Sequence, residues 1–119
     1  MAAEYTLVIE QGATLRRSFV YKTGATVADA TPVNLTNYTA RSQVRPTFAS
    51  TTVWAEWTTE NGGLTLHGAT GKIDMYSSAA LTTNMPAATG VWDIELVSPS
   101  GDVIRMLEGP AQTTPEVTR

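Results

Sequence analysis

The chain has 119 residues, of which eight are Lys or Arg and eleven Asp or Glu, for a formal charge of −3, and 42% are hydrophobic. That length points to a single domain over 1–119, able to bury a core without staples, and the ordinary apolar content excludes a disordered tail. The absence of cysteine excludes disulfides, thiolate nucleophiles and zinc–thiolate sites, and a lone histidine, His67, removes most histidine-based metal sites.

The same numbers speak about partners. Eight cations spread along the chain make no basic footprint for nucleic acid. No apolar run approaches the ~20 residues of a membrane-spanning helix, and Met1-Ala2-Ala3-Glu4 lacks the charged and apolar regions of a signal peptide. Threonine, with twenty copies, is the commonest residue. Its branched Cβ suits a pleated surface better than a helix.

Short runs of period-two alternation follow one another. Tyr5, Leu7 and Ile9 share one face of a first strand, which Gln11-Gly12-Ala13 ends. Leu15, Phe19 and Tyr21 line one face of a second, with Arg17 among them and Arg16 and Ser18 opposite. After Thr23-Gly24 a polar turn region reaches Pro32, and Val33-Asn34-Leu35 reads as a short strand or its lead-in. Tyr38, Ala40, Ser42 and Val44 then alternate with Thr39, Arg41, Gln43 and Arg45 until Pro46 stops the ladder.

Val53, Ala55 and Trp57 alternate with Trp54, Glu56 and Thr58, and Asn61-Gly62 supplies a hairpin signal. Leu64-Thr65-Leu66 and Lys72 to Tyr76, with Ile73 and Met75 on one face, are the next strands. Ser78 is placed to cap a helical turn containing Ala79, Ala80 and Leu81, ended by Pro86. Trp92, Ile94 and Leu96 face one way and Asp93 and Glu95 the other. Ser98 to Gly101 turns the chain into a partner strand with Ile104 and Met106 on one face and Val103, Arg105 and Leu107 on the other. Ala111 to Thr118 reads as a last edge strand interrupted at Pro115. Seven to nine strands at roughly 8–12-residue spacing, with one helical turn near 78–85, predict an all-β, antiparallel sandwich.

Few stretches carry chemistry. Gly68-Ala69-Thr70-Gly71-Lys72 has the wrong spacing for a phosphate loop, since Leu66 stands where the first glycine belongs, Ile73 replaces the hydroxyl residue, and a strand follows. Asp93 and Glu95 form a solvated strand face, paired with Arg105 across the hairpin, and lack the converging oxygens of a calcium site. His67 reads as a surface turn residue. Arg41 and Arg45 read as a sheet surface balancing Glu56 or Glu10, and Arg16-Arg17 as possible anion contacts. Asn34-Leu35-Thr36 and Asn37-Tyr38-Thr39 fit the glycosylation pattern, which has little meaning without a secretory signal. Trp54 and Trp57 cannot both enter one core from a regular strand. Either one is an interface anchor, or a bulge or a second covering layer hides both.

Three stretches in order carry a resemblance: Val33 to Arg45, with Leu35-Thr36-Asn37-Tyr38-Thr39-Ala40-Arg41; Leu64-Thr65-Leu66 through Gly71-Lys72-Ile73-Asp74-Met75; and Gly90 to Gly109, with Trp92-Asp93-Ile94-Glu95-Leu96, before a closing Pro115-Glu116-Val117-Thr118-Arg119. The order resembles small structural proteins of tailed bacteriophages, including the immunoglobulin-like domains that open baseplate and fibre-attachment proteins. It covers nearly the whole chain and departs at Met75-Tyr76 and Asn84-Met85, where aliphatic or hydroxyl residues are usual. The resemblance implies an immunoglobulin-like sandwich, no catalysis, and a virion connector of tail, baseplate or fibre parts, repeated in symmetric copies and assembled in the bacterial host cytoplasm. Its implied partners are other virion proteins, with no nucleic acid or membrane. The alternatives are a capsid decoration protein of the same fold, a carbohydrate-binding module stacking sugars on Trp54 or Tyr76, and a small hydrolase using Asp93 and Glu95. No catalytic, cofactor-binding or metal-binding residue is assigned, and no cofactor is expected.

Overall fold

The computed structural model describes residues 2–24, 26 and 28–118, so Met1, Ala25, Val27 and the closing Arg119 lie outside it. Its strands are β1 (Ala3–Glu4), β2 (Leu7–Glu10), β3 (Leu15–Val20), β4 (Lys22–Thr23), β5 (Thr31–Pro32), β6 (Thr39–Arg45), β7 (Ala55–Thr58), β8 (Leu64–Leu66), β9 (Lys72–Ser77), β10 (Thr89–Val97) and β11 (Val103–Thr114). A 3-10 turn covers Gly68–Thr70, and one helix, α1, covers Ala79–Thr83. Three of the strands are two-residue pieces, so the eight longer ones match the number the sequence predicts.

Two sheets face each other. The larger runs β1-β11-β10-β6-β7, with β2 also on β11, and the smaller runs β3-β9-β8. This is the immunoglobulin-like layout, with the middle and late strands of the chain forming one sheet and β3, β8 and β9 the other. The first strand is split, and both halves pair with β11 in parallel. The expected alternation fills the space between the sheets. Leu7, Ile9, Trp57, Ile94 and Leu96 come from the larger sheet and Leu15, Leu64, Ile73 and Met75 from the smaller, all at most 3% exposed. Each such side chain contributes about 1.5–3 kcal/mol of transfer free energy.

The split in the first strand has a local cause. Glu108 turns its carbonyl toward that strand, where it accepts from the Tyr5 N–H at 3.0 Å. Two residues on, Pro110 faces the same way and has no N–H to give, so the ladder breaks between Glu4 and Leu7 and resumes at Ala111. At the break, Gly109 lets the Tyr5 backbone approach where a Cβ would collide with the Tyr5 carbonyl. The Trp92 indole N–H donates to that carbonyl at 2.8 Å.

Two readings of the last third need correcting. The segment expected to end as a separate edge strand over 111–118 is continuous with its predecessor: β11 runs unbroken through Pro110 to Thr114 and lies inside its sheet, between β10 and β1/β2. Leu107, expected on the face with Arg105, packs against the core instead. A register shift is the reason: Ile94 lies opposite Leu107 but Glu95 opposite Arg105, so Met106 is the extra residue of a bulge. The bulge sends Leu107 inward and Glu108 out beside Asp93.

The helical turn forms where expected. The Ser78 side chain accepts from the Leu81 N–H at 3.2 Å as its cap. Buried Thr82 ties it to the β2–β3 turn, its hydroxyl donating to the Ala13 carbonyl at 2.8 Å and accepting from the Gly12 N–H at 3.1 Å. Val33-Asn34-Leu35 forms no strand; Pro32 ends β5, and Leu35 drops its side chain into the core.

Candidate functional site

The outer face of the larger sheet is built by residues that alternate with the core. Register places them in rows across the strands. Pro110, Val91 and Arg45 form one row. Glu108, Asp93, Gln43 and Glu56 form the next, then Arg105, Glu95, Arg41 and Thr58, then Val103, Val97 and Thr39. A shallow depression of about 620 Å³ lies over this face, lined by Arg41, Arg45, Glu56, Asp93, Glu95, Arg105 and Glu108 and rimmed by Phe48. Phe48 is 82% exposed. It sits on a turn closed by the Ser50 N–H on the Thr47 carbonyl at 3.3 Å, and the Arg45 guanidinium ties that turn down by donating to the Ser50 carbonyl at 2.6 Å. The ring is therefore presented by an anchored turn.

Charges on the face are paired within the chain, though not in the pattern the sequence suggested. Arg41 bonds Glu95 at 2.9 Å rather than Glu56 or Glu10. Arg45 donates twice to the Gln43 side-chain oxygen, at 3.0 and 2.8 Å, and Gln43 passes a hydrogen bond to Glu56 at 2.8 Å. Arg105 reaches Asp93 at 3.6 Å and Glu108 at 3.3 Å, as the cross-hairpin pairing of Asp93 anticipates. Three arginines thus face four carboxylates. Asp93 carries the imbalance: burial, then the neighbouring Glu95 and Glu108, push its carboxyl above its ordinary value against the pull of Arg105 and Arg41.

The outer face of the smaller sheet is different. Asp74 on β9 accepts from the Ser18 hydroxyl at 2.6 Å and meets His67 Nε2 at 2.8 Å, with Lys72 Nζ at 3.8 Å. Those hydrogen bonds, Ser18's first, hold the Asp74 carboxyl below its ordinary value. His67 is on a turn, as expected, but it has a carboxylate partner that sequence spacing did not reveal. Ser18 bonds the carboxylate and not the imidazole, so the trio lacks the hydroxyl–imidazole contact of a nucleophilic triad.

The other singled-out residues separate. Trp54 precedes β7, and its ring half-buries beside Gly90, where a Cβ would meet the Trp54 ring at 2.8 Å. Trp57 points fully into the core, so the pair is reconciled by the irregular entry to β7. Tyr76 is on the smaller sheet under the Arg16 guanidinium, 4.8 Å from its ring centre, on the opposite side of the molecule from Phe48. Arg16 and Arg17 do not converge. Arg17 turns to the open side of the sandwich and donates to the Val8 carbonyl at 2.9 Å and the Arg16 carbonyl at 2.8 Å. Gly68 to Gly71 is a turn into β9. Asn34 folds its side chain onto Thr36.

Among the described residues no group of three or more His, Asp or Glu is placed to hold a metal ion, and no helix is long and apolar enough to cross a membrane.

Fold and surface together define an immunoglobulin-like β-sandwich whose larger sheet carries a charged, Phe48-rimmed outer face. No family model and no curated protein matches the chain. Among solved structures it is similar to extracellular domains 3–5 of Drosophila OTK, at 14% identity over 91% of this chain and with a TM-score of 0.37. The match spans about a third of that protein's chain, 32%. Such a likeness carries no argument about function, and the sandwich class rests on the two sheets themselves.

Proposed function

We propose that this protein is a non-enzymatic structural component of a tailed-bacteriophage virion, a brick that joins tail, baseplate or fibre parts. The observation that carries this reading is the exterior of the larger sheet, a depression of about 620 Å³ with a Phe48 ring left 82% exposed on an anchored turn. An exposed aromatic ring and arginines are among the residue types enriched at protein contact sites. The order of the Leu35–Arg41, Gly71–Met75 and Trp92–Leu96 stretches supports the virion assignment by resemblance. Its partners on this reading are other virion proteins, and it is present in symmetric copies, so that contacts weak singly become firm by repetition.

The test is mass spectrometry of purified particles, with heads and tails separated and copy number measured in each. The expected result is a fixed, symmetric copy number in tails. A signal in heads alone would move the protein to capsid decoration, and absence from particles would overturn the virion reading.

A further inference from the structure

We infer that the outer face of the larger sheet pairs with the same face of a second copy of this chain, about a two-fold axis running along the strands between β10 and β6. The inference names the occupant of the face on which the proposed function rests.

Charge order across the sheet is the argument. Asp93 and Glu95 make β10 acidic, and Arg41 and Arg45 make its neighbour β6 basic. A two-fold axis between them lays each β10 over the β6 of the other copy. Glu95 then faces Arg41 of the second copy, and Arg41 faces Glu95 of the second copy, on the same row. Asp93, whose partner Arg105 in its own chain stands 3.6 Å away, faces the Gln43 side chain of the second copy and the Arg45 bonded to it. The face is thus complementary to itself, as an isologous contact requires.

Its apolar groups fall into place under the same operation. Phe48 lies in the turn after β6, beyond the Arg45 end of the strand, and lines the depression with Arg45 and Val91. Exchange across the axis carries it over Val91 and Pro110 of the second copy, which share the Arg45 row. Val103, 52% exposed, and Val97 close the opposite end. One juxtaposition is unfavourable: Glu108 lies over Glu56 of the second copy.

Size sets the strength. Four strands about 4.8 Å apart and seven residues long at about 3.3 Å each cover roughly 450 Å² per copy, near half of the ~800 Å² per partner of a stable interface. The pair is therefore weak and salt-sensitive when free, and strengthened when copies are arrayed.

Sedimentation velocity across a concentration series, at about 0.01 M and about 1 M salt, tests it. The expected result is a concentration-dependent dimer at low salt that dissociates at high salt. Arg41→Glu and Glu95→Arg each weaken it about tenfold or more, since each sets like charges face to face. An equimolar mixture of the two restores it, because both contacts between positions 41 and 95 across the axis become opposite in sign while the Arg41–Glu95 pair within each chain stays broken. Phe48→Ser, on an exposed turn that leaves the core untouched, also weakens it, and Glu56→Gln tightens it. A monomer at every concentration, a dimer indifferent to Arg41→Glu and Phe48→Ser, or a mixture that fails to re-pair would each overturn the inference. None of these results alters the copy number measured in particles, so the virion reading stands or falls separately.

Discussion

The two outer faces of this sandwich hold similar side chains in opposite electrostatic states. On the smaller sheet Asp74 is surrounded by groups that prefer it charged: the Ser18 hydroxyl, His67 and Lys72. On the larger sheet Asp93 is half-buried between Glu95 and Glu108, with its best cation 3.6 Å away. One carboxyl is driven down and the other up. On the smaller face the carboxylate is satisfied by its own chain. The larger face keeps an unbalanced carboxylate beside an exposed ring, so a surface bringing further donors relieves it.

The strongest way to break this comparison is to show that the faces differ because the core beneath them differs. Ile73 lies under the smaller face and Ile94 under the larger, both at 0% exposure. Each Ile→Ala substitution is expected to cost about 2–5 kcal/mol in denaturant unfolding. Losses of similar size place the contrast outside the core; a much smaller loss at Ile94 would move its origin inward.

The pH response sharpens the comparison with opposite signs. Asp74, lowered in the folded state, contributes stability above the ordinary carboxylate range that is lost as pH falls through its depressed folded value. Asp74→Asn should therefore lower the melting temperature at neutral pH and leave it little changed in strong acid. Asp93, raised in the folded state, opposes folding when ionised, and that opposition fades as pH falls through its raised value. Asp93→Asn should raise the melting temperature at neutral pH, with the gain vanishing in acid. Both carboxylates are substantially exposed to solvent, so both effects are small and shrink with added salt. Thermal melts of both variants between about pH 2 and pH 8, bracketing the carboxylate range, check the pair; shifts of the same sign would erase the contrast.

The smallest effect concerns polar atoms within the core. The Ser77 hydroxyl is buried without a hydrogen-bond partner. Ser77→Ala should be neutral or stabilise by up to about 1 kcal/mol, measured by the shift of the denaturant midpoint. A clear loss would show that the hydroxyl has a partner after all and that satisfaction inside and outside this sheet follows different rules.

Much of the fold was legible because alternation is a local property. Trp92-Asp93-Ile94-Glu95-Leu96 states which side each residue faces without reference to any other strand, and Ser78 with Pro86 brackets α1. Misreadings arose where a neighbouring strand decides. Met106-Leu107 are adjacent apolar residues between Arg105 and Glu108, a breach of alternation that signals a bulge, but only the partner β10 fixes which residue is extra. The run from Ala111 read as a separate strand, yet it continues its predecessor through Pro110. A proline is tolerable there because the chain on its other side steps away between β1 and β2. The surface was less legible still. The Arg41–Glu95 and Asp74–His67 pairs join residues 54 and 7 positions apart, so their partners depend on register. Phe48, the most exposed aromatic ring of those described, sits in a loop where periodicity says nothing about exposure.

The parallel pairing of β1 and β2 with β11 has a mechanical consequence. Because the first and last strands run the same way, a pull on the two ends of this chain draws them past each other along their length. Their rungs are then strained together in shear rather than opened one after another. Arg17 on β3 ties β2 to the smaller sheet by donating to the Val8 carbonyl. Tension along the strand axis thus meets this sandwich in its stiffest direction.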